Sequence, residues 1–429
     1  MKNLLPLLFT IWTFALSAQE FYYPPTTSDD WETLNMTDLG WCESELPALQ
    51  SFLQDTHTKA FLVLKDGKIV IEEYFDGHAR DSVWYWASAG KSLNAFEIGL
   101  LQEGGQLDIE APTSDYLGDG WTSCSSADEE LIKVKHQLSM TTGLDYSVAD
   151  IDCTTPDCLQ CLYEPNVEWY YHNAPYTLLS DVIENVSGRS HSLHTFLTLG
   201  NSVGIRGAWL PLGNNRTFFS SARVMARFGL LMNSNGNWNG EAILADESYF
   251  DQMISPSQDI NLSYGYLWWL NTGPSYRLPS STITFPGKII SNAPDHIYMA
   301  LGKNSQLLII DPVENIVIVR MGEDPDPSPV PTIFLNDLWN QVQALICTTT
   351  AATETYTQEL TISPNPVSSV VSIDTKRSIG SLKITDAHGR VVLSCTGVNE
   401  VDVSMLPAGV YMLLVYVDGT PVSEQFVKL

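Results

Sequence analysis

Basic residues are scarce in this chain. Lysine and arginine number 22 against 50 aspartates and glutamates, a formal net charge of −28 at pH 7. Such a surface repels nucleic acid and anionic lipid, so neither is an expected partner, and the charge reads as solubility. Beyond the N-terminal leader no apolar run approaches the length of a membrane span. Cysteine is sparse too, with seven in 429 residues. No histidine stands inside the Cys153, Cys158 and Cys161 cluster, so disulfides are preferred there over a zinc site, with Cys124 as a natural fourth member. Cys42 and Cys347 lie near the two ends of the central region, where a bridge between its first and last helices would be sensible. The pairings stay open at this point, and Cys395 is left over.

What is present begins with a leader. Lys2, the apolar stretch Leu4 to Leu16, and Ser17-Ala18 before Gln19 have the layout of a signal peptide over residues 1–18. Glu43 to Asp55 has a helical pattern. Ala60 to Leu64 and Lys68 to Tyr74 read as strands joined at Lys65-Asp66-Gly67. The next stretch, Trp84-Tyr85-Trp86-Ala87-Ser88-Ala89-Gly90-Lys91, organises the rest. Leu93, Phe96, Leu100 and Leu101 form an apolar stripe at helical spacing, closed by Gly104-Gly105. On a helix Lys91 falls one turn after Ser88 and on the same face. No other lysine of the chain has serine three positions before it. A serine hydroxyl needs a base to act as a nucleophile, and a lysine in a dry pocket loses basicity and can be neutral at pH 7.

A second constellation is Trp169-Tyr170-Tyr171-His172-Asn173-Ala174-Pro175-Tyr176, ahead of an apolar helix from Leu178 to Val186. Tyr171 and Asn173 fall on one side of an extended segment. A phenol beside a cationic lysine is expected to have a lowered pKa and to relay protons. The Asn173 amide can hold a substrate carbonyl. Ile132 to Thr142 and Ser220 to Met232 read as helices, and Tyr264 to Trp269 as an aromatic strand. Strands are expected at Gln306 to Ile310 and Ile316 to Met321, and a closing helix at Ile333 to Ile346. Before the first of these strands stands Gly302-Lys303-Asn304-Ser305-Gln306. A glycine at a strand edge facing the nucleophile can offer a backbone N–H to an oxyanion.

These pieces, in this order, resemble the serine β-lactamase and penicillin-binding-protein superfamily, in particular its class C-related hydrolases, which include esterases and nylon-oligomer hydrolases. The resemblance covers about residues 40 to 347. It rests on Ser88-Ala89-Gly90-Lys91, Leu138-Ser139-Met140-Thr141-Thr142-Gly143-Leu144, Tyr171-His172-Asn173, Ala222-Arg223 through Met232, and Tyr264-Gly265-Tyr266-Leu267-Trp268-Trp269, with 83 residues separating Ser88 from Tyr171. It implies Ser88 as the acylated nucleophile, Lys91 as its base and Tyr171 as the proton-transfer partner. It also implies substrate binding by Asn173, Lys303, Asn304, Ser305 and Gln306. The oxyanion hole would be formed by the N–H of Ser88 and one near Lys303. The chain departs from the family's third box: neither Lys-Thr-Gly nor His-Thr-Gly occurs. Gly302 to Gln306 is similar instead to the Gly-x-x-Gly-Gln version of the nylon-hydrolase-like branch, with Ser305 in place of the second glycine. The box lysine helps to bind a β-lactam carboxylate, so its absence argues against β-lactamase activity. Lys288 is the one substitute in space that could be named. The first glycine of an α/β-hydrolase elbow is also missing before Ser88.

Residues 348–357 read as a polar linker, and 358–429 alternate in short strands broken by turns. Ile362-Ser363-Pro364-Asn365-Pro366, Asp386-Ala387-His388-Gly389-Arg390, Leu406-Pro407-Ala408-Gly409 and Phe426-Val427-Lys428 resemble the type A C-terminal sorting domain of the type IX secretion system. The expected organisation is a signal peptide, then an α+β hydrolase domain over 19–347. That domain has an antiparallel sheet flanked by helices plus an all-helical subdomain, and a small all-β sandwich follows the linker. The expected activity is hydrolysis of an ester or small amide, without metal or cofactor, by a protein exported to the surface or beyond. A β-lactamase or DD-peptidase, or a non-catalytic binding protein on the same fold, are the alternatives.

Overall fold

The computed structural model describes residues 21–325, 332–347, 360–375, 378–386, 391–417 and 420–429. The expected signal peptide and linker lie outside these residues, as does the Gly389 turn of the tail.

A hairpin opens the central sheet. Strands β1 (Thr58–Lys65) and β2 (Lys68–Tyr74) turn over Asp66-Gly67, both in the left-handed region. A short strand β3 (Trp84–Tyr85) leads into the turn that carries Ser88 and pairs later with β5 (Asn215–Ser220) of the ribbon it forms with β4 (Ala208–Leu212). The main sheet is completed by β6 (Trp269–Leu270), β7 (Tyr298–Gly302), β8 (Gln306–Asp311) and β9 (Ile316–Gly322). Its order is β2-β1-β9-β8-β7-β6, and every neighbouring pair is antiparallel. Strands β8 and β9 are buried at every position, so both sheet faces are covered. The early and late parts of this domain thus meet at the centre of the sheet: β1 (Thr58–Lys65) pairs with β9 (Ile316–Gly322).

Helix α1 (Leu46–Asp55) precedes the sheet, α2 (Gly90–Glu103) carries Lys91, and α3 (Asn173–Thr177) and α4 (Leu179–Ser187) follow Tyr171. Helix α5 (Ala222–Asn233) lies flush on the sheet at Gly229, where an added Cβ would meet Val317 at 2.4 Å and Leu308 at 2.6 Å. Helix α6 (Thr332–Ile346) closes the domain; Phe334 stacks on Phe52 of α1 with centroids 5.5 Å apart. Between Gly90 and Gly200 every named element is helical, as expected for the helical subdomain. Disulfides join Cys42 to Cys347, Cys124 to Cys161 and Cys153 to Cys158, and Cys395 is free.

Two expected elements are shorter than their patterns suggested. The helix over Ile132 to Thr142 is confined to Val134–Leu138, because Met140 takes a left-handed φ of 61°. The aromatic stretch Tyr264 to Trp269 is a tight turn, with Leu267 at φ 59° and Tyr264 bridged to Trp269. Alternating aromatics were buried there by folding back rather than by extension.

In the tail, Thr361–Ser363, Val370–Asp374 and Glu400–Asp402 form one sheet. Val391–Thr396, Ile379–Thr385, Gly409–Val417 and Thr420–Lys428 form the other. Leu360, Val371, Leu382, Val401, Leu413 and Phe426 share one apolar cluster, so the two sheets make a small all-β unit. No helix among the described residues is long and apolar enough to cross a membrane.

Candidate active site

The turn that carries Ser88 is built by aromatic packing. Trp86 is fully buried between Phe218 and Phe228, and its Nε1 donates to Ser220 Oγ at 2.8 Å. Ala87 then takes a φ of 48°, a conformation that alanine adopts only when its surroundings impose it. The kink starts a short 3₁₀ turn, Ala87–Ala89, which runs into α2. Ser88 is left partly open on the wall of a cleft of about 550 Å³, together with Lys91, Tyr171 and Asn173.

Lys91 Nζ is hydrogen-bonded to Ser88 Oγ at 3.3 Å. The lysine is 4 % exposed, and its amine sits 3.9 Å from the Tyr176 ring centroid and 5.2 Å from that of Tyr171. Two effects compete here. The ring faces and the charge of Asp152 favour the ammonium, while burial disfavours it. Burial is the larger, and the Lys91 pKa falls to about 7. A substantial neutral fraction at neutral pH follows.

Tyr171 corrects an expectation. Its ring is packed among Trp169, Tyr264 and Trp269, and burial drives the phenol pKa well above its ordinary value; the hydrogen bond with Ser88 opposes this and loses. A lowered pKa required a fully cationic neighbour, and the same dry pocket that encloses the phenol brings the Lys91 pKa down to about 7. Tyr171 therefore holds its proton. Asn173 opens α3, and its Oδ1 is buried without a hydrogen-bond partner among the described residues.

The end of β7 abuts the turn that carries Ser88. A Cβ at Gly302 would lie 2.5 Å from Trp86 O, 2.9 Å from Ala89 N and 3.1 Å from Ser88 N. The following residues Lys303 and Asn304 line the cleft. Asn304 has a φ of 59°, donates Nδ2 to Tyr85 Oη at 2.8 Å, and has its carbonyl held by Arg320 Nη1 at 2.6 Å. Arg320 is wholly buried and also donates to the carbonyls of Ser305, Thr56 and Glu323. Ser305 and Gln306 do not reach the cleft, contrary to the substrate-binding expectation. The left-handed turn at Asn304 and Ser305 directs them inward: Gln306 is fully buried, giving Nε2 to Gly322 O at 2.7 Å and accepting from Gly322 N at 3.0 Å. Gln306 braces the turn through Gly322, while Ser305 Oγ is buried without a hydrogen-bond partner among the described residues. Lys288 is also elsewhere, bound to Asp295 at 2.9 Å and to Ala293 O at 2.7 Å.

Sequence reasoning missed Tyr85, Asp152, Tyr176 and Arg216 in this wall. Tyr176 was within reach, since it lies five residues beyond Tyr171 in the quoted stretch; Asp152 and Arg216 carry no local signal. Among the described residues no group of three or more His, Cys, Asp or Glu is arranged to hold a metal ion.

Residues 49–333 match the family model described as Beta-lactamase, and residues 361–428 match that of the Secretion system C-terminal sorting domain. A sorting domain of this kind implies handling by the type IX secretion machinery and delivery to the cell surface or exterior. The chain is 23 % identical over 312 residues to a 6-aminohexanoate-dimer hydrolase of Paenarthrobacter ureafaciens, covering 66 % of this chain and 77 % of that protein. A structure of a candidate 6-aminohexanoate-dimer hydrolase from Bacillus anthracis superposes with a TM-score of 0.57 at 18 % identity, over 75 % of this chain and 88 % of the other. A family VIII carboxylesterase superposes with a TM-score of 0.52 at 14 % identity, over 70 % and 99 %. These two structures share the fold. With the matched model covering most of its length, the chain belongs to the Beta-lactamase family of serine-hydrolase fold and ends in a secretion sorting domain.

Proposed function

We propose that this protein is an exported serine hydrolase that cleaves an ester or small amide through an acyl-enzyme on Ser88. The observation that carries the reading is a buried lysine, held near neutrality, 3.3 Å from a serine hydroxyl on the wall of an open cleft. Neutral Lys91 takes the Ser88 proton as Oγ bonds to the substrate carbonyl carbon. The carbonyl oxygen becomes an oxyanion, and the backbone N–H groups of Ser88 and Lys303 are its donors. Tyr171 gives its phenolic proton to the leaving group and is reprotonated from Lys91. In deacylation a water attacks the acyl carbon, its proton passing through the Tyr171 hydroxyl to Lys91, and Ser88 regains its proton as it leaves.

An amide-cleaving relative supports a linear ester or amide over a β-lactam, as does the lack of a third-box lysine of the Lys-Thr-Gly kind. Export would begin with the leader at residues 1–18 and continue through the sorting domain. Intact-mass measurement after incubation with a fluorophosphonate tests the mechanism. The wild type is expected to gain one adduct, Ser88→Ala none, and Lys91→Ala to label at least about a hundredfold more slowly. An adduct that survives Ser88→Ala would sink the proposal. Nitrocefin is expected to be a much poorer substrate than simple esters.

A further inference from the structure

Four arginines meet in a second cleft of about 500 Å³, in a chain whose acidic residues outnumber its basic ones by 50 to 22. Arg80 precedes β3, Arg206 precedes β4, and Arg223 and Arg227 stand one turn apart on α5. Thr26 to Asp29 of the N-terminal segment complete one wall. None of the lining residues is shared with the Ser88 cleft, and no residue of the acyl-enzyme chemistry lies here.

Of the four charges, one is balanced by a carboxylate. Glu72 takes Arg223 Nε at 2.6 Å and Nη2 at 2.7 Å. Arg227 is 7 % exposed; it gives Nη1 to the carbonyls of Pro24 and Val203 and Nη2 to that of Pro25, and pairs with no carboxylate among the described residues. Backbone carbonyls satisfy its N–H donors and leave its charge in place. Burial, with repulsion from Arg206 and Arg223 added, lowers its pKa to about 10, so it stays protonated at neutral pH. Arg80 and Arg206 are exposed. Arg206 gives Nη2 to Thr26 O at 3.2 Å, and neither residue forms an ion pair among the described residues. Asp29 and Asp81 also line the cleft and are exposed, and Asp29 meets Arg223 through its backbone carbonyl and not its carboxylate.

Gathering like charges is unfavourable, and an anion placed among them relieves it. Guanidinium groups grip the oxygens of phosphate or sulfate through paired N–H donors, and Arg80 and Arg206 have such donors free on the accessible side. The cleft is larger than a bare ion needs and lies within the size range of small-molecule sites. A net charge of −28 opposes the approach of a polyanion, which favours a small molecule with one anionic group.

We propose that this cleft is a binding site for a phosphate or sulfate monoester on a small organic carrier, with Arg80 and Arg206 gripping the anion and Arg227 supplying an unbalanced positive charge beside them. The site stands independently of the chemistry at Ser88.

Isothermal titration calorimetry on the full chain at low ionic strength, with phenyl phosphate, phenyl sulfate and phenol as probes, tests the site. Wild type is expected to bind at least one of the two esters with millimolar or tighter affinity, the better ester naming the anion, and phenol at least about tenfold more weakly. The double variant Arg80→Gln with Arg206→Gln should bind that ester at least about tenfold more weakly, the size of one charge-assisted hydrogen bond, with a thermal midpoint close to that of wild type. In wild type alone, inorganic phosphate or sulfate should displace the ester and chloride at equal ionic strength should not, which keeps the test open if the variant does not fold. No binding of either ester, equal affinity for ester and phenol, displacement by chloride as strong as by the oxyanions, or an ester affinity unchanged in the folded double variant would overturn the site. Fluorophosphonate labelling of Ser88 is a separate readout, so a failure of the acyl-enzyme reading leaves these outcomes distinct.

Discussion

Lys91 is the residue on which stability and chemistry pull in opposite directions. Its pKa of about 7 lies far below that of a free lysine near 10.4. Between these values the unfolded chain binds a proton that the folded chain does not, so Lys91 makes stability rise as pH climbs through that window; below about pH 7 its full desolvation cost is present. Lys91→Met is accordingly expected to raise the unfolding free energy at pH 7 by about 1–3 kcal/mol in urea titrations while abolishing turnover. In the wild type, kcat/KM for a neutral ester should rise with pH and level off above an apparent pKa near 7, since the deprotonated amine is the active form. A profile flat from pH 5 to 9 would contradict this assignment. The Ser88–Lys91 pair was legible because its spacing is local, and Tyr171, 83 residues on, was reached only through the ordered motifs of the family resemblance. The proton of Tyr171 was not, because it depends on Trp169, Tyr264 and Trp269, and the last two lie in a segment far away in sequence.

At the scale of elements, the contact between the end of β7 and the nucleophile turn sets the site. Gly302 is extended, with φ −128°, so its requirement is one of space and not of backbone conformation. The three atoms that an added Cβ would meet within 3.1 Å all belong to the backbone of Trp86, Ser88 and Ala89, which cannot turn aside as a side chain can. Gly302→Ala is expected to push β7 from the turn, slowing fluorophosphonate labelling of Ser88 at least about tenfold and lowering stability by about 1–3 kcal/mol in thermal melts. Wild-type labelling in that variant would show that the strand does not position the nucleophile. Helices and strands with clean periodicity, such as Leu46–Asp55 and Ile316–Gly322, lie close to where their patterns placed them. Ser305 and Gln306 were read wrongly because two left-handed residues in a row, Asn304 and Ser305, reverse which side chains face the cleft.

For the whole molecule, β1 and β9 pair across the sequence, and the Cys42–Cys347 bridge spans 305 residues around them. Cross-linking so long a loop removes much entropy from the unfolded chain, on the order of 5 kcal/mol in the chain-entropy account, with measured losses generally of about 2–5 kcal/mol. The double variant Cys42→Ser with Cys347→Ser is expected to lose about that much in urea unfolding while keeping Ser88 reactive in the folded protein, because neither cysteine lines the cleft. Loss of labelling without loss of stability would contradict this division. The sorting unit over residues 361–428 belongs to this scale as well, since it concerns where the protein goes, and none of its residues lines the Ser88 cleft.

The amino-acid sequence by itself brought out the Ser88–Lys91 pair, the order of the core elements and the β-rich tail, because each rests on short-range spacing or periodicity. Tertiary structure alone decided how Lys91 and Tyr171 hold their protons and which side chains line the cleft. The Lys91 and Tyr171 pKa values come from burial, which is a property of the packed pocket. Asp152 reaches the cleft only because a disulfide-closed loop is tied to α3. No local pattern encodes such a meeting, since it joins segments whose distance in space is set by the folding of everything between them.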